Sequence, residues 1–352
     1  MNASTVDLIN GVISRGLDLV IQARLSFVAV EKPPAIDLSP VEPHSFWRES
    51  RVADPAQARV IQDRECFEGP GWRELEVVGP SQGPGSHPGS REFVATAHVD
   101  RTRLDAGAPM VLLVHGYAVP FTGYDRWLAW RMRRIGAHTM RMDLPFHLRR
   151  SAPGRLSGDG FFSIDPVPTR EVVRQSVEDA AALVAWARRE VTPNVCVVGV
   201  SLGGLVSTLL ASQVQLDGLI GVVPLCDPAF SFTQMPRGPM QRLLGMLGEG
   251  ESYWGRDARS ANRTLDGALA PLVARNFSPA TPGERITLVR ALNDLIVGPQ
   301  PVAALADAWA TELWTYPHGH ITVMNARGIA TRIRDRAVAA GAAGSQDLQL
   351  AG

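Results

Sequence analysis

The sequence predicts an α/β fold, a mainly parallel, doubly wound sheet with a helical cap insertion and an N-terminal extension. Three observations predict it. Short apolar runs bounded by turn residues recur at 109–117, 138–145, 194–201, 218–225, 285–292 and 311–317. Helical patterns separate most of them, at 125–136, 170–190 and 301–310. Strands that are apolar on both faces and alternate with helices indicate a parallel sheet covered on both sides. Finally, one interval, from near Leu225 to near Arg285, spans about sixty residues, far more than a βα connection needs.

The chain of 352 residues is 45% hydrophobic, ample for a packed core, and its formal net charge is zero. That balance argues against nucleic acid as a partner. Lys32 is the sole lysine; the arginines read as solvated surface. Cys66, Cys196 and Cys226 are far apart and form neither a metal-binding spacing nor a disulfide framework. No metal and no cofactor is expected. Cys196 and Cys226 lie in apolar runs and read as small core residues. The N-terminus shows no basic segment followed by an apolar run, and no apolar stretch reaches ~18 residues. The expectation is a cytoplasmic protein without a membrane span.

In chain order, residues 5–27 read as a helix with Ile9, Val12, Ile13 and Val20 near one face. Its expected role is packing on the main body, with peripheral contact to a membrane or lipid substrate as the alternative. Residues 31–70 are proline-rich and read as an irregular strap, so 1–70 forms the extension. "WRELEVV" and "EFVATAHV" alternate as an antiparallel pair of strands around a Gly, Pro and Ser loop at 79–92. The core is expected over 71–228 and 284–342, with a flexible tail at 343–352. The long interval, 229–283, contains "FSFTQMPRGPMQRLLGMLGEGESYW" and "LDGALAPLVARNF" and reads as a helical cap. Long insertions at the carboxyl ends of parallel strands shape binding pockets.

Gly199-Val200-Ser201-Leu202-Gly203 matches the G-x-S-x-G pattern of a nucleophile elbow. With 33 glycines in the chain, such a match acquires meaning only from its context. Here a strand, "VCVVGV", precedes the serine and a helix, "GGLVSTLLAS", follows it. Side chains at Gly199 or Gly203 would crowd the turn, and the helix N-terminus offers free N–H groups to a developing oxyanion. A serine needs a base, and only His318 and His320 follow the last expected strand. His320, after Gly319 at the start of the final helical pattern, is expected to be that base, with His318 in reserve. Asp294, just past the 285–292 strand, is expected to orient the imidazole, with Asp227 as its rival. Either aspartate could instead be a helix N-cap. Leu202 and Tyr117 are expected to give the backbone N–H groups of an oxyanion hole. Tyr117 lies in "HGYAVP", where His115 and Gly116 hold the turn and border the substrate.

The ordered motifs strand-HG-x, "MDLPFH", G-x-S-x-G-G, "ALNDLIV" and "HGHIT" resemble the α/β-hydrolase superfamily over roughly residues 71–340. The segment "DLPFHLRRSAPG", with "REVVRQSVEDAAALVAW" and "GVSLGG", is also similar to a branch that includes the α/β-hydrolase domain-containing protein 18 group. The resemblance implies an α/β-hydrolase fold and a Ser201–His320–Asp294 triad. Most members carry D-x-x-G-x-G-x-S where this chain has Phe146, His147, Arg149 and Arg150 in place of the glycines. That departure implies a bulkier or more cationic pocket wall, with Phe146, His147 and Arg149 touching substrate. Arg149 and Arg150 could bind an acidic group or pair with surface carboxylates.

The expected function is a serine hydrolase that cleaves a small-molecule or lipid-like carboxylic ester through an acyl-enzyme. A lipid deacylase, thioesterase or acyltransferase on the same residues is the alternative. A non-catalytic binding module is the third reading, and the ordered serine, acid and histidine count against it.

Overall fold

The computed structural model describes Gly16, Asp18 and residues 36–66, 69, 71–82, 91–104, 107–233 and 258–350. The strands are β1 (Arg59–Glu65), β2 (Trp72–Pro80), β3 (Glu92–Asp100), β4 (Met110–Val114), β5 (His138–Asp143), β6 (Val195–Val200), β7 (Gly218–Val222), β8 (Ile286–Ala291) and β9 (Glu312–Tyr316). They form one sheet in the order β1-β2-β3-β5-β4-β6-β7-β8-β9. From β5 to β9 every neighbouring pair is parallel. The β1-β2, β2-β3 and β3-β5 pairs are antiparallel. All residues of β4 and β7 are buried, as near-continuous apolar runs require when both faces of a strand are covered.

The helices are α1 (Pro43–Arg48), α2 (Gly123–Arg133), α3 (Pro166–Glu190), α4 (Leu202–Ala211), α5 (Pro228–Thr233), α6 (Ala258–Ala268), α7 (Pro299–Trp309) and α8 (Ile329–Leu350). α8 packs with α2 and against β4, β6 and β7, while α3 packs with α4, which lies on β6 and β7. The two groups cover opposite faces of the sheet. Asp165 starts α3 by accepting the Val167 N–H at 3.0 Å, with Pro166 at the first helical position. After β4 the chain moves to one side to build β5, then crosses back to build β6 on the other. The ends of β4 and β6 therefore flank a topological switch point, where open α/β sheets place their ligands.

The extension differs from the irregular strap expected of 31–70. Residues 59–65 form the edge strand β1, and residues 43–48 form α1, which buries Phe46 and Trp47. Trp47 Nε1 donates to the Pro271 carbonyl at 2.8 Å. β1 carries no apolar alternation because every one of its residues is exposed. Its charges pair with β2 instead, Arg64 with Glu74, and Asp63 with Arg73 at 2.6 Å. Charged side chains also protect an open sheet edge from unwanted strand pairing. Gly16 and Asp18 are helical, whereas the rest of the expected 5–27 helix lies outside the described residues.

In the insertion between β7 and β8, α5 and α6 pack on one another. The end of α6 is tied to α3 by Arg170 Nη1 donating to the Ala268 carbonyl at 2.8 Å. Residues 234–257, the middle of the expected cap, lie outside the described residues. Among the described residues no helix is long and apolar enough to cross a membrane. Cys196 and Cys226 are buried in the core.

Candidate active site

Ser201 stands at the junction of β6 and α4 with φ 55° and ψ −112°. Few non-glycine residues adopt a positive φ, and a residue held there needs support from its surroundings. Its N–H donates to the Val222 carbonyl at 2.9 Å, and its own carbonyl accepts from Leu205 and Leu225, each at 3.1 Å. The two motif glycines serve close packing rather than an unusual φ. A Cβ on Gly199 would run into the Gly203 carbonyl and Ser207 Oγ, and one on Gly203 into the carbonyls of Val114 and His115. Only the absence of both side chains lets α4 approach β4 and β6 closely enough to set the turn.

From Ser201 a continuous row of hydrogen bonds runs inward. Ser201 Oγ lies 2.8 Å from His320 Nε2, and His320 Nδ1 lies 2.8 Å from Asp294 Oδ2. Asp294 Oδ1 accepts the N–H groups of Ile296 at 2.8 Å and Val297 at 2.9 Å. An ionised carboxylate only accepts, so Nδ1 carries the ring proton and Nε2 is left to accept from the serine hydroxyl. Burial opposes a charge on His320, but the charge of Asp294, its hydrogen bond and the charge of Asp18 outweigh it and raise the imidazole above its usual range. The site thus favours the protonated ring more than water would.

Of the residues left open by sequence, Asp294 and His320 meet and their rivals do other work. Asp227 caps α5, accepting the Phe230 N–H at 2.9 Å, and pairs with Arg275 at 3.2 Å. His318 gives its backbone carbonyl to the Asn293 N–H at 2.9 Å. His320 is followed by a short 3-10 turn, Thr322–Asn325, before α8 begins, rather than starting the last helix itself.

The loop after β4 passes directly beside the serine, since a Cβ on Gly116 would lie 3.5 Å from Ser201 Cβ. Two buried histidines brace it against the loop after β5. His115 Nδ1 donates to the Gly116 carbonyl at 2.7 Å, and its Nε2 accepts the Leu144 N–H at 3.1 Å. His147 Nδ1 donates to the Pro145 carbonyl at 2.8 Å, and its Nε2 accepts the Ala118 N–H at 3.1 Å. Each ring uses one donor and one acceptor, as a neutral imidazole can. Burial, with the neighbouring His115, holds His147 well below the usual imidazole range. The Tyr117 ring packs against His147, Phe161 and Phe162. Among the described residues no acceptor engages the backbone N–H of Tyr117 or Leu202.

The expected substrate-binding group is therefore redistributed. His115 and His147 are 2% and 0% exposed and act as loop braces rather than as pocket wall. Arg149 is held on the sheet, with Nε 2.6 Å from Asp143 Oδ2, Nη1 3.3 Å from Glu76 and Nη2 3.1 Å from Thr96. Arg150 is fully buried, donating to Asp179 at 2.9 Å and to the Asp143 carbonyl at 3.1 Å. This run is cationic because carboxylates of β2, β5 and α3 require partners. Phe146, half-buried at φ 62°, accepts the Gly158 N–H at 2.8 Å through its carbonyl. Sequence reasoning missed Asp18, whose carboxylate accepts the His320 N–H at 2.8 Å. No motif marks it, because its partners are some three hundred residues away along the chain.

A family model described as "Alpha/beta hydrolase family" matches residues 111–350. No curated protein matches the chain in sequence. Among solved structures, acetyl xylan esterase 1 from Thermoanaerobacterium sp. JW/SL YS485 is similar with a TM-score of 0.62 and 15% identity, covering 90% of this chain and 98% of its own. An acetyl xylan esterase from Paenibacillus sp. R4 is similar with a TM-score of 0.57 and 15% identity, covering 89% of this chain and 98% of its own. At these identities the likeness is one of fold.

Proposed function

The chain belongs to the alpha/beta hydrolase family, and on that premise we propose that it is a serine hydrolase that cleaves a carboxylic ester through an acyl-enzyme. The observation that carries this reading is the row Ser201 Oγ–His320 Nε2–Asp294, with both links at 2.8 Å. A hydroxyl at its ordinary acidity is a weak nucleophile, and a base within hydrogen-bond reach is what activates it.

In the proposed cycle Ser201 Oγ attacks the ester carbonyl carbon as its proton passes to His320 Nε2. The tetrahedral oxyanion is met by the N–H groups of Leu202 and Tyr117. The intermediate collapses, the C–O bond to the alcohol breaks, and Nε2–H protonates the departing oxygen. Water then enters and gives a proton to Nε2, its oxygen attacks the acyl carbon, and Ser201 leaves with that proton restored. Asp294 keeps the ring oriented and offsets the imidazolium charge formed in each half. The unengaged N–H groups of Tyr117 and Leu202 and the proximity of Gly116 to Ser201 support the oxyanion assignment.

The substrate is read as a small-molecule or lipid-like ester met in the cytoplasm, with the 229–283 insertion as a cap over Ser201. Acetyl esters are the first to try, given the names of the two structural neighbours. The likeness of "DLPFHLRRSAPG" supports a place near the branch containing the α/β-hydrolase domain-containing protein 18 group. Hydrolysis of p-nitrophenyl esters from acetate to palmitate by wild type and S201A tests the reading. Wild type is expected to hydrolyse at least one of them, with kcat in S201A lower by several orders of magnitude. Equal rates would refute it. A preference confined to the longest chains would favour a lipid deacylase or acyltransferase on the same residues.

A further inference from the structure

Asp18 is a fully buried carboxylate from the N-terminal extension. Burial raises its carboxyl above the ordinary range, and the N–H groups it accepts and the charge of His320 oppose that rise. Its carboxylate accepts three backbone N–H groups. Oδ2 takes His320 at 2.8 Å and Leu295 at 3.2 Å, and Oδ1 takes Ile321 at 3.1 Å. Leu295 directly follows Asp294, and the other two donors are His320 itself and its neighbour. One side chain thus fastens the loop after β8 to the loop after β9, the two loops that carry the proposed acid and base.

We infer that Asp18 is a positioning residue for the reaction, a carboxylate delivered by the N-terminal extension that clamps the acid and base loops together and adds negative charge behind the histidine. The inference rests on the serine-hydrolase reading. Packing alone does not account for a buried carboxylate here, because an apolar side chain would take this acceptor from the buried His320 N–H and from the partly buried N–H groups of Leu295 and Ile321. Position matters to catalysis because Asp294 and His320 lie just past the last backbone bond between their two loops among the described residues, from the Asn293 N–H to the His318 carbonyl at 2.9 Å. A small misplacement of the acid loop lengthens the Asp294–His320 link, and one of the base loop disturbs both links of the row. Charge matters because the imidazole becomes a cation in each half of the cycle. Among the described residues, the carboxylates whose charges act on His320 are Asp294, after β8, and Asp18, from the extension, and both favour that cation.

The test uses the full-length chain as wild type, D18N and D18E. It reads the rate of Ser201 labelling by a fluorophosphonate across neutral pH, together with kcat and KM on the best ester, normalised to folded protein by circular dichroism. Asn keeps the shape but removes the charge and sets an NH2 group against backbone donors. D18N is therefore expected to lower kcat and the labelling rate by roughly 10²-fold, the scale of a misplaced catalytic group, with little change in KM. Its rising pH limb should move to lower pH, because His320 loses a charge that favours protonation. D18E keeps the charge, so its limb should stay near that of wild type even where its rate falls. A merely structural role would reduce the folded fraction and leave the normalised rate and the limb unchanged, and that result in D18N overturns the inference. If D18N does not accumulate, a D18E limb shifted to lower pH overturns it and an unshifted one supports it. Absence of labelling in wild type would contradict the hydrolase reading itself. Equal labelling of wild type and D18N contradicts only the role of Asp18.

Discussion

Asp294 accepts from His320 Nδ1 and from two backbone N–H groups, so its two oxygens act as acceptors only. An asparagine would satisfy some of these donors but present an NH2 group to the rest, favouring the ring tautomer with its proton on Nε2, facing the serine. D294N is therefore expected to fold and to lose kcat on the order of 10⁴-fold, as measured by steady-state ester hydrolysis. A loss of less than tenfold would remove Asp294 from the mechanism. The pH dependence follows from the same contact. His320 must be neutral to take the serine proton, and its surroundings raise it above the ordinary 6.5. The free-enzyme kcat/KM should thus rise with pH through a midpoint above that value, and in D294N the midpoint should fall. The same shift has a sign for stability. A histidine raised on folding contributes stability that is full below its unfolded pKa and is lost as pH rises through the folded one. At this scale Ser201, Asp294 and His320 were legible because each lies at a recognisable strand end and in a meaningful order. Asp18 was not, because nothing local distinguishes it from any polar residue of an amphipathic helix.

The loops after β4 and β5 form one unit, held by imidazoles. His147 both gives a hydrogen bond to Pro145 and takes one from Ala118, which sits at φ 54°. H147L removes both bonds while retaining bulk. Leaving the Ala118 N–H and the Pro145 carbonyl unpaired costs about 1–3 kcal/mol for each, readable as a lower urea midpoint. Freeing the Tyr117–Ala118 turn should lower kcat by about 10²-fold with KM nearly unchanged. A variant destabilised but fully active would separate the brace from the proposed oxyanion site. The parallel strands were legible because burial on both faces makes them continuously apolar. β1 was not, because a strand exposed along its whole length carries charges for its neighbour rather than an alternating pattern. Phe146, His147, Arg149 and Arg150 were recognised as a departure from the family pattern, but the direction in which these side chains point could not be read. The carboxylates and amides that claim them lie on other strands and loops.

Across the molecule, the fully buried pair of Arg150 and Asp179, at 2.9 Å, joins the β5 loop to the middle of α3. Burial pushes the Asp179 carboxyl up, and the charge of Arg150 opposes that rise. R150M would leave an uncompensated carboxylate in the core, at a cost of about 3–5 kcal/mol in urea unfolding. The double variant R150M/D179L should recover most of that loss, because neither charge is then buried. Similar stability of the single and double variants would contradict this account of the pair. The position of the site was legible at this scale. A sheet whose strand order reverses beside β4 has its crevice at the ends of β4 and β6, where His115 and Ser201 lie. The contribution of the extension was not, since it depends on which strand ends the folded chain brings within reach of residue 18.

Active-site labelling distinguishes an activated nucleophile at Ser201 from an ordinary serine in a turn. Wild type, S201A and H320A would be treated with a fluorophosphonate and the adduct located by peptide mass spectrometry. One adduct on Ser201 is expected in wild type, none in S201A, and labelling slowed by orders of magnitude in H320A. Equal labelling of wild type and S201A, or an adduct on another residue, would contradict an activated Ser201.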